Sequence, residues 1–513
     1  MPYFMGIDSG TSGVKAIIMD EAGNVASSGY SECDLVAPRP GWAEQDPEDW
    51  WRACREAVRE ATAKSGLGKE VGGIGFSGQM QGSTLLDREM KPIGNCLLWL
   101  DQRSTAETDE INRSADRAYL LGITANMCLN SFWAPKLLWV KKHRPEDYGR
   151  IHKVLFTKDY LCYKLTGEIT ADVSDSSLSF LMDVYKRKWS GEMFEKLGIP
   201  REFAPDRLIE SCEVAGYLKP DVAEDLGLAA GIPVAAGGGD QPVNGVGTGI
   251  VRTGVVGVSI GTSGVVSGCA DKPFVDDGDR AMYSMAHSVP GKWYFLGLAL
   301  SSGGSYKWLR DTVFADRKAE MASKGLDVYD YMSGLAEAVP PGSEGLAFLP
   351  YLNGEKTPHC DDAARGVFFG MSFRHGLGAI SRSVMEGVTY SLRDTVEIFR
   401  EFGLDVTEIR ASGGGAKSPL WRQMQADIFN ANVVTMNMEE GPAAGAAILG
   451  AVAAGHFKSV EEGCDALLKI KSVTEPNGKN AAIYDDYYRV FRELYPALKG
   501  PFRHQAANVE KYV

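Results

Sequence analysis

The sequence predicts an α/β protein made of two similar lobes from a duplicated fold, facing each other across a cleft. One observation is the stretch Met5-Gly6-Ile7-Asp8-Ser9-Gly10-Thr11-Ser12-Gly13-Val14-Lys15-Ala16-Ile17-Ile18, in which two apolar runs flank a Gly/Ser/Thr turn, the pattern of a β-hairpin. A second is its near copy, Gly257-Val258-Ser259-Ile260-Gly261-Thr262-Ser263-Gly264-Val265, about half a chain later and at one constant offset. A third is that short buried-strand patterns at 71–76, 232–236 and 408–413 end in glycines and alternate with helical stretches.

The first turn offers backbone N–H groups and hydroxyls without bulky side chains, which suits a polyphosphate. Asp8, at the end of the first strand, is placed to hold Mg²⁺ directly or through water. Alone, this segment reads as an ordinary hairpin with an Asx-turn. The copy changes that reading, because Ser259 stands where the first copy has Asp8. One turn keeps an acid for a metal and the other keeps only phosphate-compatible donors. The pair reads as a two-sided nucleotide clamp.

At 513 residues the chain is too long for one domain, and the division expected is residues 1–248 and 249–513. Hydrophobic content of 44% and charged content of 24% are those of an ordinary globular protein. With 67 acids against 54 bases the net charge is −13, which argues against nucleic acid or an anionic membrane as partner. Nine cysteines without a CxxC pair indicate reduced thiols rather than a disulfide framework or a metal site. Neither a signal peptide nor a transmembrane run is present, so the expected location is cytoplasmic. The seven histidines are dispersed without metal-binding spacing, and His152, His287 and His375 receive no role.

In chain order, Asp46-Pro47-Glu48-Asp49 opens a helix, with an N-cap candidate, proline in the first turn and acids after it; the helix is expected to reach about Ser65. The strand at 71–76 runs into the polar turn Ser77-Gly78-Gln79-Met80-Gln81-Gly82, which suits a sugar or is a plain β-turn. In Trp99-Leu100-Asp101-Gln102-Arg103, Trp99 offers a flat face for C–H groups, and Asp101 and Arg103 either fix hydroxyls or pair with each other. The polar run 166–175 reads as a loop facing the cleft. Gly237-Gly238-Gly239-Asp240 leaves a lone carboxylate where backbone can be approached closely, an arrangement that suits a general base and also occurs as a simple cap. Gly413-Gly414-Gly415 lies between a strand and a helix start and suits an adenosine or α-phosphate, without Walker A spacing. Gly441-Pro442-Ala443-Ala444-Gly445 begins a small-residue helix that lets two elements approach closely. A final helix is expected from about Ile483 to Leu498.

These residues together resemble the FGGY carbohydrate kinase family, and within it the bacterial xylulokinases. The resemblance rests on Gly6-Ile7-Asp8-Ser9-Gly10-Thr11-Ser12, Gln45-Asp46-Pro47, Gly78-Gln79-Met80, Trp99 with Asp101 and Arg103, and Ala134-Pro135-Lys136-Leu137-Leu138-Trp139. It continues through Lys158-Asp159-Tyr160, Gly237 to Asp240, Ser259 to Gly264, Leu349-Pro350-Tyr351, Gly366 to Gly370 and Gly413 to Gly415. It implies an actin-like (ribonuclease H-like) fold with an interdomain ATP and sugar cleft. It also implies ATP and Mg²⁺ as cofactors and a small sugar or polyol as partner, with a homodimer as one possible assembly. By the resemblance, Asp240 is the catalytic base and Asp8 the Mg²⁺-linked acid. Gly10, Thr11, Ser12 and Lys15 belong with one phosphate turn, Gly261, Thr262 and Ser263 with the other, and Gly413 to Gly415 with adenosine. Gln79, Met80, Gln81, Trp99, Asp101, Arg103 and Gln241 fall on or beside sugar positions.

Three departures concern the sugar. Gln81 stands where the xylulokinases usually have His, Leu100 where they have Asn, and Gln241-Pro242 where Asn follows the catalytic Asp. The expected reaction is transfer of the γ-phosphate of ATP to a terminal hydroxyl of D-xylulose, a related ketopentose, or a pentitol or tetritol. A reading from another class is an actin-like ATPase without a sugar substrate, which would have no need of the residues at 79–81 and 99–103.

Overall fold

The computed structural model describes residues 2–277, 280–438 and 440–512. In the first half, β1 (Tyr3–Gly10), β2 (Gly13–Asp20) and β3 (Val25–Glu32) form an antiparallel meander, followed by helix α1 (Pro47–Ser65). Strands β4 (Val71–Gly78), β5 (Val214–Tyr217) and β6 (Pro233–Ala235) complete a sheet of order β5-β6-β4-β1-β2-β3, and Gly238–Gly239 adds to the end of β4. Helix α1 starts and stops where its chemistry dictates. The Asp46 carboxylate accepts the Glu48 N–H at 2.9 Å, and Gly66 ends the helix in the left-handed region at φ 69°.

Helix α2 (Asp240–Gly247) leads out of the first sheet. The second sheet contains β7 (Val255–Ile260), β8 (Gly264–Ala270), β9 (Tyr283–Ala286), β10 (Trp293–Ala299), β11 (Glu408–Gly413), β12 (Asn432–Met436) and β13 (Ile470–Thr474), in the order β9-β10-β8-β7-β11-β12-β13. Between these strands run helices α3 (Leu377–Glu401) and α4 (Gly441–Ala453), and helix α5 (Gly478–Tyr512) closes the chain. The duplication is visible in the pairing. Strand β1 is antiparallel to β2 and parallel to β4, and β7 is antiparallel to β8 and parallel to β11. Both copies of the repeated motif therefore sit at the centre of their sheets, with their turns at the sheet ends. Among the described residues, no helix is long and apolar enough to cross a membrane.

The small-residue pattern of α4 has a direct consequence. Although it follows β12 in the chain, α4 lies on β1 and β4 of the first sheet and crosses α2. A Cβ on Gly6 would sit 1.8 Å from the Ala443 carbonyl oxygen, one on Gly247 1.8 Å from that of Gly441, and one on Gly445 2.0 Å from that of Val243. Only glycine allows backbones to meet this closely. Ala446, Ala447, Ile448 and Leu449 fill the remaining space with Phe4, Met19, Val243 and Val246 in one buried cluster.

Two expectations need correction. Residues 170–175 are not a loop facing the cleft: Thr170–Asp172 is a strand parallel to Arg207–Ile209, Val173–Ser176 is a helical turn, and all are buried. Their polarity is spent on buried partners described below. The last helix also extends well beyond the 483–498 range, to Tyr512, despite Pro496 and Pro501 inside it. Tyr484, Tyr488, Phe491, Tyr495 and Phe502 keep one face buried against the second lobe, and this packing outweighs the helix-breaking signals.

Candidate active site

Asp8 ends up near the tip of β1, opposite Lys15 on β2 and beside Ser77 on β4. Asp240 is the first residue of α2. Both carboxylates line one cavity of about 250 Å³, together with Gln241, Asn244, Ser259, Arg410 and Ser412. Asp8 and its counterpart in the second hairpin copy, Ser259, thus face the same space from opposite lobes. Burial pushes the Asp240 carboxyl up to about 7, and the negative charge of Asp8 adds to that. Asp8 is also raised, mainly by burial, and is eased back by Ser77 and the Lys15 ammonium. The Lys15 Nζ itself is 2.5 Å from a Glu440 carboxylate oxygen.

A divalent cation fits at Asp8. Its Oδ1 is buried and has no hydrogen-bond partner. Among the described residues no group of three or more His, Cys, Asp or Glu side chains forms a complete metal cage. An unpartnered buried carboxylate oxygen suits Mg²⁺, which is usually held by one or two carboxylates with waters and substrate phosphates supplying the remaining ligands.

The two glycine turns are held differently. In the first, the Gln45 amide donates to the Thr11 carbonyl at 2.7 Å, the Thr11 hydroxyl donates to Gln79 at 3.0 Å, and the Trp99 indole N–H donates to that hydroxyl at 3.1 Å. Gln45 in turn accepts from Gln79 and from the Trp50 indole. Gln45 was missed as part of the site; read locally, it merely precedes a helix cap. In the second turn, Gly261 to Ser263 are exposed, and their carbonyls are held from behind: Gly303 N–H donates to Gly261 O at 2.8 Å and Gly304 N–H to Thr262 O at 2.9 Å.

Gly414 and Gly415 open onto a larger cavity of about 740 Å³ in the second lobe, which also reaches Gly261 and Thr262. A Cβ at Gly415 would lie 2.7 Å from that of Ile260, so the loop rests directly on β7. The far wall carries Lys307, Tyr329, Asp330, Ser333 and Glu337, none of them anticipated. Asp330, Ser333 and Glu337 recur at helical spacing along 328–337, the one signal that a polar helix face looks into something.

The expected sugar residues divide. Met80 packs its side chain where a Cβ of Gly239 would be, 2.6 Å from that position. Gln81 is held at φ 68°, its N–H donating to Asp175 Oδ1 at 2.9 Å and its carbonyl accepting from Lys136 at 2.9 Å. Gln241 lines the cavity beside Asp240. Trp99 is 43% exposed, so a ring face is available. Asp101 and Arg103 follow the pairing alternative and are buried. Arg103 donates from Nε and Nη2 to both Asp101 oxygens at 2.8 and 2.7 Å and reaches Glu44 at 2.7 Å. Its guanidinium lies 3.7 Å over the Trp42 ring, and Ala43 N–H donates to Asp101 at 2.7 Å. Two of the sugar departures have structural explanations. Leu100 packs against the core of the first lobe. Pro242 is the third residue of α2, where a helix N–H has no intrahelical partner to lose.

The family model described as "FGGY family of carbohydrate kinases, N-terminal domain" matches residues 3–247, and its C-terminal counterpart matches 256–454. A xylulose kinase of Lactococcus lactis subsp. lactis is 38% identical over 499 residues, covering 96% of this chain and 97% of that protein. The solved structure of a "xyloylose kinase" from Brucella ovis superposes with a TM-score of 0.88 at 35% identity, over 97% of this chain and 99% of its own. A gluconate kinase from Lactobacillus acidophilus superposes almost as well, with a TM-score of 0.87 at 26% identity, over 97% and 98% of the two chains.

Proposed function

This chain belongs to the FGGY family of carbohydrate kinases, and on that premise we propose that it phosphorylates the terminal hydroxyl of D-xylulose, giving D-xylulose 5-phosphate. The observation that carries the mechanism is that Asp8 and Asp240 line one cavity with Ser259, while Gly261 and Thr262, just beyond Ser259 on the chain, open onto the cavity of the second lobe. Asp240 accepts the proton of the attacking hydroxyl, and its raised pKa keeps it a competent base near neutral pH. The 261–263 turn, braced from behind by Gly303 and Gly304, holds the phosphates from the second lobe, with adenosine against Gly414 and Gly415. The Thr11 turn, fixed by Gln45, Gln79 and Trp99, closes on the transferring group from the first lobe. Mg²⁺ at Asp8 would offset the phosphate charge. Lys15 is held by Glu440 beside Asp8, where it tempers the acid's charge.

The choice of sugar follows the identity of the relatives rather than the fold, since a gluconate kinase shares the architecture. With Leu100 and Pro242 explained by packing and helix geometry, the departures left are Gln241, which lines the cavity beside Asp240, and Gln81. The Gln81 amide keeps both a donor and an acceptor for a hydroxyl pattern that a neutral histidine also serves. Membership of a kinase family sets aside the actin-like ATPase without a sugar substrate. The test is ADP release over ketopentoses, ketohexoses, pentitols, glycerol and gluconate, ranked by kcat/KM. D-xylulose is expected to lead. A different compound leading by tenfold or more would reassign the substrate.

A further inference from the structure

Behind the cleft, the motif Lys158-Asp159-Tyr160 and the polar run 170–175 meet in a fully buried ionic cluster that touches no cavity described above. Lys158, in the first turn of helix Thr157–Thr166, is ion-paired with Asp159 and lies 2.8 Å from Asp172 Oδ1. The other Asp172 oxygen accepts the Ser174 N–H at 2.7 Å, the Ser174 hydroxyl, and the Ser211 hydroxyl at 2.9 Å. With its proton committed to Asp172, the Ser174 Oγ accepts the Gly239 N–H at 3.1 Å and the Ser288 hydroxyl at 3.4 Å. Gly239 immediately precedes Asp240. A Cβ on Gly238 would lie 2.6 Å from the Ser174 Oγ, so the glycine run is shaped to let this hydroxyl reach the backbone.

We propose that Lys158, Asp172 and Ser174 form a buried positioning chain that fixes the Gly239 peptide and, through it, the direction of the Asp240 carboxylate. The inference rests on Asp240 acting as the base. Lys158 fixes Asp172, Asp172 fixes the rotor of the Ser174 hydroxyl, and that hydroxyl presents its lone pair to Gly239. None of the three touches the reacting atoms. Such a cluster is costly to bury, and its end point is the backbone bearing the base. A shift of the carboxylate by about 1 Å is enough to slow transfer by about a hundredfold.

The test compares Ser174→Ala with Ser211→Ala. Each removes one hydroxyl from the same Asp172 oxygen, and only Ser174 reaches Gly239. In Ser174→Ala, kcat is expected to fall about 10- to 100-fold while the ATP KM stays within about twofold. Ser211→Ala should keep kcat within about twofold of wild type, and Ser174→Thr, which retains the hydroxyl, should recover most of the loss. Wild-type kcat in Ser174→Ala, equal losses in the two alanine variants, or a Ser174→Thr as slow as Ser174→Ala would each overturn the proposal. Asp240→Asn measured alongside reports the base reading itself. If it loses turnover while Ser174→Ala does not, the positioning role falls and the base stands.

Discussion

Replacing Asp240 by Asn keeps the size and the start of α2 but removes the proton acceptor. General-base removal lowers kcat by about 10²–10⁴-fold, or about 3–6 kcal/mol at about 1.4 kcal/mol per tenfold. ATP binding should be little changed, because the cavity proposed for adenosine lies in the second lobe. The carboxyl at about 7 also sets the shape of the pH profile. About one-tenth of it is ionised at pH 6 and about nine-tenths at pH 8, so wild-type kcat/KM should rise nearly tenfold over that interval. Asp8→Asn removes the neighbouring negative charge and should move this rise to lower pH. The stability effect has a definite sign. Asp240 holds its proton in the folded state up to about 7 and in the unfolded state only to an ordinary carboxylate value of 3.8. Its favourable contribution is therefore present below pH 3.8 and lost as pH rises through 7, so Asp240→Asn should melt above wild type at pH 8, keep only part of that advantage at pH 5 and lose it below 3.8. The assay is coupled ADP release from pH 5.5 to 8.5 with thermal unfolding in the same buffers. A variant that keeps more than about one-tenth of wild-type kcat, or a wild-type profile flat from pH 6 to 8, would refute the reasoning.

Asp8→Asn should raise the Mg²⁺ concentration needed for half-maximal turnover, read from a metal titration; an unchanged midpoint would remove Asp8 from cation binding. Gly445→Ala places a methyl 2.0 Å from the Val243 carbonyl oxygen at the α2–α4 crossing, so urea unfolding should show a loss of about 1–3 kcal/mol or more. Arg103→Ala leaves Asp101 buried without its guanidinium partner and should cost about 3–5 kcal/mol by the same measurement. A loss of substrate affinity without a loss of stability would instead make Arg103 a sugar ligand.

The repeated hairpin was legible because everything that shapes it is local: two apolar runs, small turn residues and a constant offset. Asp8 and Ser259 could be compared on that basis, and the structure brings both to one cavity. The close approach of α4 was legible from its glycines and alanines, but its seat on the first sheet was not, because nothing local names the partner surface. The run 170–175 misled for a related reason. Its polarity reads as solvent-facing until Lys158 and Ser211 are known to meet Asp172. Asp101 and Arg103 offered two alternatives, and the choice depended on Trp42 and Glu44, which arrive from the segment before α1. The cavity wall at 327–337 carries no motif, only a polar helical face whose meaning comes from the cavity beside it.

The reaction proposed for this cleft moves the γ-phosphate of ATP to the terminal hydroxyl of D-xylulose. Phosphorus and carbon NMR of the product formed from ATP, Mg²⁺ and D-xylulose tests it most directly. Stoichiometric ADP and a single phosphomonoester coupled to the C5 methylene are expected. Phosphate on another carbon, or ADP released with free inorganic phosphate and unmodified sugar, would contradict it.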